Sequence, residues 1–258
     1  MIAPKDPELS RRAASFDAVA DVYADVRPGY PQQLSDWLVP ADARQVVDVG
    51  AGTGKFTATL VRPGRTVVAV DPSPAMLAQL RRTLPGVEAR IGTAERIGVP
   101  DGWADAITVA QAWHWVDVPA ACAETARVLR PGGYLGLIWN YRDERVGWVR
   151  ELGVAMRADG DHYSGSIEAA TPQVAAPFGP PEIRQHPWRQ RHTRESLLDL
   201  VRSRSYFAVM DLQERESTLA NVIAVLGTHP ELVGRQSFEL PYVTIAFRYT
   251  LAVTPAQG

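Results

Sequence analysis

Two carboxylates and three alternating glycines form the most chemically informative cluster in this chain. Asp48 lies two residues before Gly50, Gly52 and Gly54 follow at every second position, and Asp71 comes further on. Alternating glycines let the backbone take positive φ and let a ligand approach without meeting a Cβ. The apolar run Val46-Val47-Asp48-Val49 leads into them, and a helical pattern leaves them from Lys55. The segment reads as a strand, a tight turn and a helix start. In an open α/β sheet, ligands bind outside the carboxyl ends of the strands, where such a turn lies. Asp48 facing that crevice suits a ligand carrying positive charge and repels a pyrophosphate. Gly50, Ala51 and Gly52 would line the ligand. The first amides of the helix would suit a carboxylate on it.

Two better-known glycine loops fail here. A P-loop needs Gly, four residues, then Gly-Lys-Ser/Thr, but positions 49 and 56 are Val and Phe. The dinucleotide fingerprint needs glycine at its first, third and sixth places, and the sixth is Lys55. Asp71 ends a second strand, Thr66-Val67-Val68-Ala69-Val70. Its two oxygens could meet the two hydroxyls of a ribose. Asp71 or Ser73 could instead cap the helix that opens at Pro74.

Behind these residues the chain alternates strand and helix. A third strand, Val87–Ile91, ends at Gly92-Thr93-Ala94-Glu95. A fourth, Ala106–Ala110, runs into Gln111-Ala112-Trp113-His114-Trp115. Strand four stands beside strand one in a doubly wound sheet, so Ala110 and the aromatic cluster face the same crevice. A tryptophan face near a cation gains ~0.5–2 kcal/mol. Trp113 or Trp115 could equally wall an acceptor pocket or fill the core. His114 is a candidate base, with a hydrogen-bonded structural histidine as the alternative. A fifth strand, Tyr134–Trp139, precedes Asn140, Tyr141, Arg142 and Asp143. These lie at the crevice edge as candidate acceptor contacts. Further helices are expected over residues 144–158, 194–210 and 212–226, and strands over residues 183–191 and 240–250. Residues 159–181 show little pattern and read as a long cover loop.

The whole-chain numbers exclude several classes. At 258 residues the chain can bury one large α/β core. A net charge of -2 gives no case for nucleic acid or an anionic membrane. Basic residues are almost all arginine, with only Lys5 and Lys55 as lysines. Cys122 is the sole cysteine, so no internal disulfide forms and a reducing compartment is expected. No apolar signal core or bilayer-length stretch is present, so a cytoplasmic protein is expected. No metal-ligand pattern stands out.

The pattern Asp-x-Gly-x-Gly-x-Gly at Asp48–Gly54, with Asp71 after the next strand, resembles motif I of the class I S-adenosylmethionine (SAM) dependent methyltransferases. Phe16-Asp17-x-x-Ala20-x-x-Tyr23 with Arg27-Pro28-x-Tyr30-Pro31, and the Gln-x-Trp-His-Trp segment, are similar to a subgroup resembling trans-aconitate methyltransferase. The resemblance implies a Rossmann-like seven-stranded sheet of order 3-2-1-4-5-7-6, strand seven antiparallel, with helices on both faces. It implies a single domain over 1–258: a cofactor lid at 10–38, a SAM-binding core at 44–140 and an acceptor-side cover at 141–258. Tyr23 and Arg27 would contact SAM or the acceptor, with Tyr30 a weaker candidate. Thr93 and Ala94 would hold the adenine, with Glu95 as a further candidate. Thr93 departs from the Asp that many members carry. The reaction implied is methyl transfer from SAM, releasing S-adenosylhomocysteine (SAH), to a small-molecule acceptor. That acceptor could be an acid held by Arg27, Arg142 or Arg204. The protein would act as a monomer or homodimer. An NAD(P)-dependent oxidoreductase, a SAM-binding protein without transferase activity and an RNA or protein methyltransferase remain the alternatives.

Overall fold

The computed structural model describes residues 27–157 and 162–251. The chain falls into two compact units, each discontinuous in sequence. One comprises Gly29–Trp139, Thr171–His186 and the segment from Thr244 onward. The other comprises the residues up to Pro28, Asn140–Ala170 and Pro187–Val243. The boundaries fall inside strands rather than at linkers. They are called below the glycine-turn unit and the helical unit.

The glycine-turn unit opens with α1 (Gln32–Leu38), β1 (Gln45–Val49) and α2 (Thr57–Leu60). Then come β2 (Thr66–Asp71), α3 (Pro74–Thr83), β3 (Glu88–Ile91), β4 (Ala104–Ala110) and α4 (Val118–Val128). β5 (Leu129–Asp143) begins here and crosses into the helical unit after Trp139. β1 pairs in parallel with β2 and with β4, with Val47 opposite both Val68 and Ile107. A parallel strand with neighbours on both edges and cover on both faces needs a continuous apolar run, and Val46, Val47 and Val49 are all buried. The unit's core joins Leu34, Leu38, Leu60, Leu77 and Leu80 to Val46, Ala106 and Ile138. Truncating Leu77 to Ala there would cost roughly 2–5 kcal/mol. Ser73, not Asp71, caps α3: its hydroxyl accepts from Met76 N at 3.1 Å, and Pro74 follows.

The helical unit carries α5 (Gly147–Ala155), β6 (His162–Tyr163) and α6 (Ile167–Ala170). It also holds most of β7 (Glu182–Thr193), then α7 (Arg194–Arg202), α8 (Ser205–Val209) and α9 (Leu212–Thr228). β8 (Ser237–Thr250) closes the fold. Its own core packs Trp148, Leu152, Leu197, Val201, Phe207, Val222 and Leu240. Two capping boxes start its longer helices, Thr193 with Ser196 and Asp211 with Glu214.

The strand order is β3-β2-β1-β4-β5-β8-β7, with the short β6 pairing with β5 off this path. Setting β6 aside, this is the order 3-2-1-4-5-7-6. Trp188 stacks on Tyr242 and His192 on Phe238, so β7 and β8 run antiparallel. β7 ends the order, and Pro187 is tolerated there because an edge strand can lack one amide.

Several local expectations are corrected. The helix after the glycines starts at Thr57 rather than Lys55 and lasts one turn. So short a helix has little dipole to offer, so the carboxylate expected at its first amides loses its basis. β5 starts at Leu129, absorbs the Leu-Arg-Pro-Gly-Gly segment around a register shift, and runs four residues past Trp139. Asn140 and Arg142 are therefore strand residues. The helix expected at 194–210 breaks at Ser203-Arg204, and residues 159–181 contain β6 and α6. Of the N-terminal segment only α1 and the residues from Arg27 are described. Tyr23 and the part of the expected lid that precedes Arg27 lie outside the described residues.

Candidate active site

The glycine turn docks on the end of β2. Gly50 N and Ala51 N both donate to Val70 O, at 2.8 and 3.1 Å. Gly50 and Gly52 have φ of 68° and 55°, in the left-handed region that disfavours side chains. They differ in what a side chain would meet. A Cβ on Gly50 would lie 2.6 Å from Ala112 Cβ, whereas a Cβ on Gly52 meets nothing within 4 Å. Gly50 lets the turn pack; Gly52 keeps a space open.

Asp48 does not face that space. It is fully buried, and its carboxylate accepts from Thr57 Oγ1 at 2.6 Å and Thr108 Oγ1 at 2.8 Å. Burial pushes its pKa up to about 6, against the two hydroxyl bonds, with the nearby Asp71 charge adding to the rise. Its role moves from ligand contact to pinning β1, the start of α2 and β4 together beneath the turn.

Asp71 ends β2 beside the glycine turn. Its two oxygens are fixed by separate amides, Gly52 N at 2.8 Å and Ser73 N at 2.8 Å. Gly92 N donates to Asp71 O at 3.3 Å, and Thr93 exchanges two backbone bonds of 3.1 Å with Arg96. This holds Thr93 and buried Ala94 just past the end of β3. Glu95 is used otherwise: it accepts from Asp117 N at 2.9 Å, ahead of α4.

Gln111, just after β4, has φ of 59°, unusual for a residue with a side chain. Such backbone costs of order 1–3 kcal/mol and concentrates at functional sites. It turns the chain out of β4 beside Ala110 and into the 3-10 turn Trp113–Trp115. Trp113 is buried, and its Nε1 donates to Gln173 O at 2.8 Å, which fixes the indole in place. His114 is exposed beside half-buried Trp115, with ring centroids 4.6 Å apart. Tyr30 packs edge-on to Phe56 at 5.0 Å, as part of the core.

The helical unit collects the remaining candidates. Arg27 Nη2 donates to Ser203 O at 2.8 Å, next to buried Arg204. Asn140 and Arg142 are buried on one face of β5. Buried Tyr242 of β8 and Trp188 of β7, stacked at 5.1 Å, join the same unit.

The chain is 49% identical over 245 residues to uncharacterised methyltransferases of Mycobacterium bovis and Mycobacterium tuberculosis. The match covers 94% of this chain and 99% of those proteins. The chain belongs to the methyltransferase family. Residues 47–137 match the family described as a methyltransferase domain, which spans both glycine turn and aromatic turn. A methyltransferase-like protein of Schizosaccharomyces pombe is 32% identical, covering 89% of this chain and 92% of its own. A malonyl-acyl carrier protein O-methyltransferase of Serratia marcescens is 32% identical over 157 residues, covering 60% of this chain and 58% of its own. A solved structure from Anaeromyxobacter dehalogenans, provisionally described as a type II methyltransferase, superposes with a TM-score of 0.66. At 24% identity over 87% of this chain and 97% of that one, it attests the fold.

For a methyltransferase, two positioning groups escaped the sequence reading. Thr57 and Thr108 carry no motif of their own, and only the register that sets Asp48 opposite Thr108 exposes the second. The positive φ of Gln111 left no mark in residue type.

Proposed function

We propose that this methyltransferase takes its methyl group from SAM, releases SAH, and delivers the methyl to a small-molecule acceptor carrying a carboxylic acid. The observation that carries the cofactor reading is the open position at Gly52, beside a carboxylate on Asp71 oriented by two amides. In this reading Asp71 accepts from the ribose hydroxyls, and Thr93 and Ala94 hold the adenine. Gly50, Ala51, Gly52 and Ala110 line the cofactor, and Asp48 fixes the turn from below. SAM supplies a methyl carbon already activated by its positive sulfur, so the protein's task is positioning more than bond activation.

The acid in the acceptor is supported by the buried polar side chains of the helical unit: Arg142, Arg204 and Asn140, with Arg27 nearby. Guanidinium groups match carboxylates by geometry as well as charge. His114 would serve as base where the methylated atom carries a proton.

Isothermal titration calorimetry tests the cofactor. SAH should bind with one-to-one stoichiometry, and Asp71→Ala should weaken it by about tenfold or more, the loss of roughly one hydrogen-bonded pair to a charge. Unchanged SAH affinity in Asp71→Ala would sink the ribose assignment. Titration with NADH should give no heat. A screen of metabolite extracts with methyl-labelled SAM then identifies the acceptor.

A further inference from the structure

We propose that Arg142 is a carboxylate socket, which anchors the acceptor's acid group and withholds that group from methylation. The inference rests on the reading above that the acceptor is an acid. Arg142 lies on β5 and is fully buried, yet none of Nε, Nη1 and Nη2 has a hydrogen-bond partner among the described residues. Other arginines of this chain are treated differently. Arg65 donates to the carbonyls of Ala43, Leu60 and Pro40. Arg127 is held by Glu124, Asp101 and the Val99 carbonyl. Burying a charge without a partner is among the costliest arrangements in a fold. A fully buried guanidinium without a described partner is therefore suited to an anion that none of the described residues supplies.

The geometry selects the anion. The planar fork of a guanidinium fits the two oxygens of a carboxylate. One buried positive charge is balanced by one carboxylate charge, whereas a phosphate monoester brings nearly two and leaves the excess buried. On the next two strands of the order, Tyr242 and Trp188 stack on one another at 5.1 Å. A carboxylate forked on Arg142 gives up electron density to the guanidinium charge, which weakens both oxygens as nucleophiles, so it anchors. The methyl goes to a different atom of the acceptor.

Thermal unfolding tests this with sodium benzoate and inorganic phosphate at matched ionic strength, on the wild type and Arg142→Met. Benzoate should raise the wild-type Tm progressively with concentration; phosphate should not. Arg142→Met should lose the benzoate response and, without anions, melt above the wild type, because the unpaired charge is gone. A variant that melts lower, with a wild type indifferent to benzoate, would make Arg142 purely structural and overturn the proposal. An equal response to phosphate would overturn the carboxylate assignment. Methyl benzoate formed from benzoate and SAM, read by mass spectrometry, would overturn the anchoring role. If Arg142→Met does not fold, Arg142→Lys keeps the charge without the fork and should show a smaller benzoate response; a full response would contradict the socket. SAH affinity should be the same in the wild type and the variants. Loss of SAH binding by the wild type would instead count against the cofactor reading and leave the benzoate result standing.

Discussion

The two units differ in how they meet particular charged and polar side chains. In the glycine-turn unit Asp48 is held by two threonine hydroxyls, Asp71 by two amides and half-buried Arg65 by backbone carbonyls. In the helical unit, among the described residues, Arg142 has no acceptor and His192 Nε2 is buried without a partner. Internal partners hold a side chain in one geometry before a ligand arrives, which suits an invariant cofactor. Unmet groups leave the fit to a ligand from outside, which suits an acceptor that defines specificity. The difference separates a frame that the protein completes alone from one that a substrate completes.

The sharpest way to break this contrast is at Gly52. Gly52→Val should lower SAH affinity more than a hundredfold, measured by calorimetry. Positive φ should cost folding only on the order of 1–2 kcal/mol. Gly50→Val should fail in the reverse manner, unfolding more readily because its side chain meets Ala112. Equal losses of folding in both variants would remove the distinction between a packing glycine and a ligand glycine.

The units should also titrate in opposite senses. The folded pKa of Asp48 is raised to about 6, above its ordinary value. The native state therefore keeps a proton that the unfolded chain releases, and this contribution to stability falls as pH rises from about 4 to 6. The full change is on the order of 3 kcal/mol. Relative to wild type, Asp48→Asn should gain about that much between pH 4 and pH 7 in urea midpoints multiplied by m. His192 is pushed down to about 4 by burial. Its contribution is present above the ordinary histidine range and is lost as pH falls toward 4. His192→Gln should therefore resist acid better than wild type, and matching pH slopes in the two variants would contradict the opposition.

The smallest effect on binding is expected at His114. His114→Ala should leave SAH affinity within twofold of wild type, since the ring is exposed and is placed here toward the acceptor. It should lower kcat if the methylated atom must shed a proton, and a wild-type pH–rate profile would return His114 to a surface role.

Much of the frame was legible because it depends on local pattern. Apolar runs marked β1, β2 and β4, glycines at alternating positions marked the turn, and Pro74 after Ser73 marked the start of α3. Element ends were less legible. β5 runs on through Asn140 and Arg142 because both are buried in the sheet, where polar residue types would ordinarily signal a strand's end. Trp113 read equally as pocket wall or core, and only the structure paired its indole nitrogen with Gln173 O.

The alternation of strand and helix and the glycine turn after β1 were fixed by spacing along one chain and by backbone rules that act over a few residues, while the strand order came with the family resemblance. Only the tertiary structure decided what each charged group faces. Asp48 was expected to meet a ligand and meets Thr57 and Thr108; Arg142 was expected at an edge and is buried without an acceptor among the described residues. Burial and partnering arise from segments far apart in sequence, Thr108 sixty residues from Asp48. No local pattern records which of them will arrive.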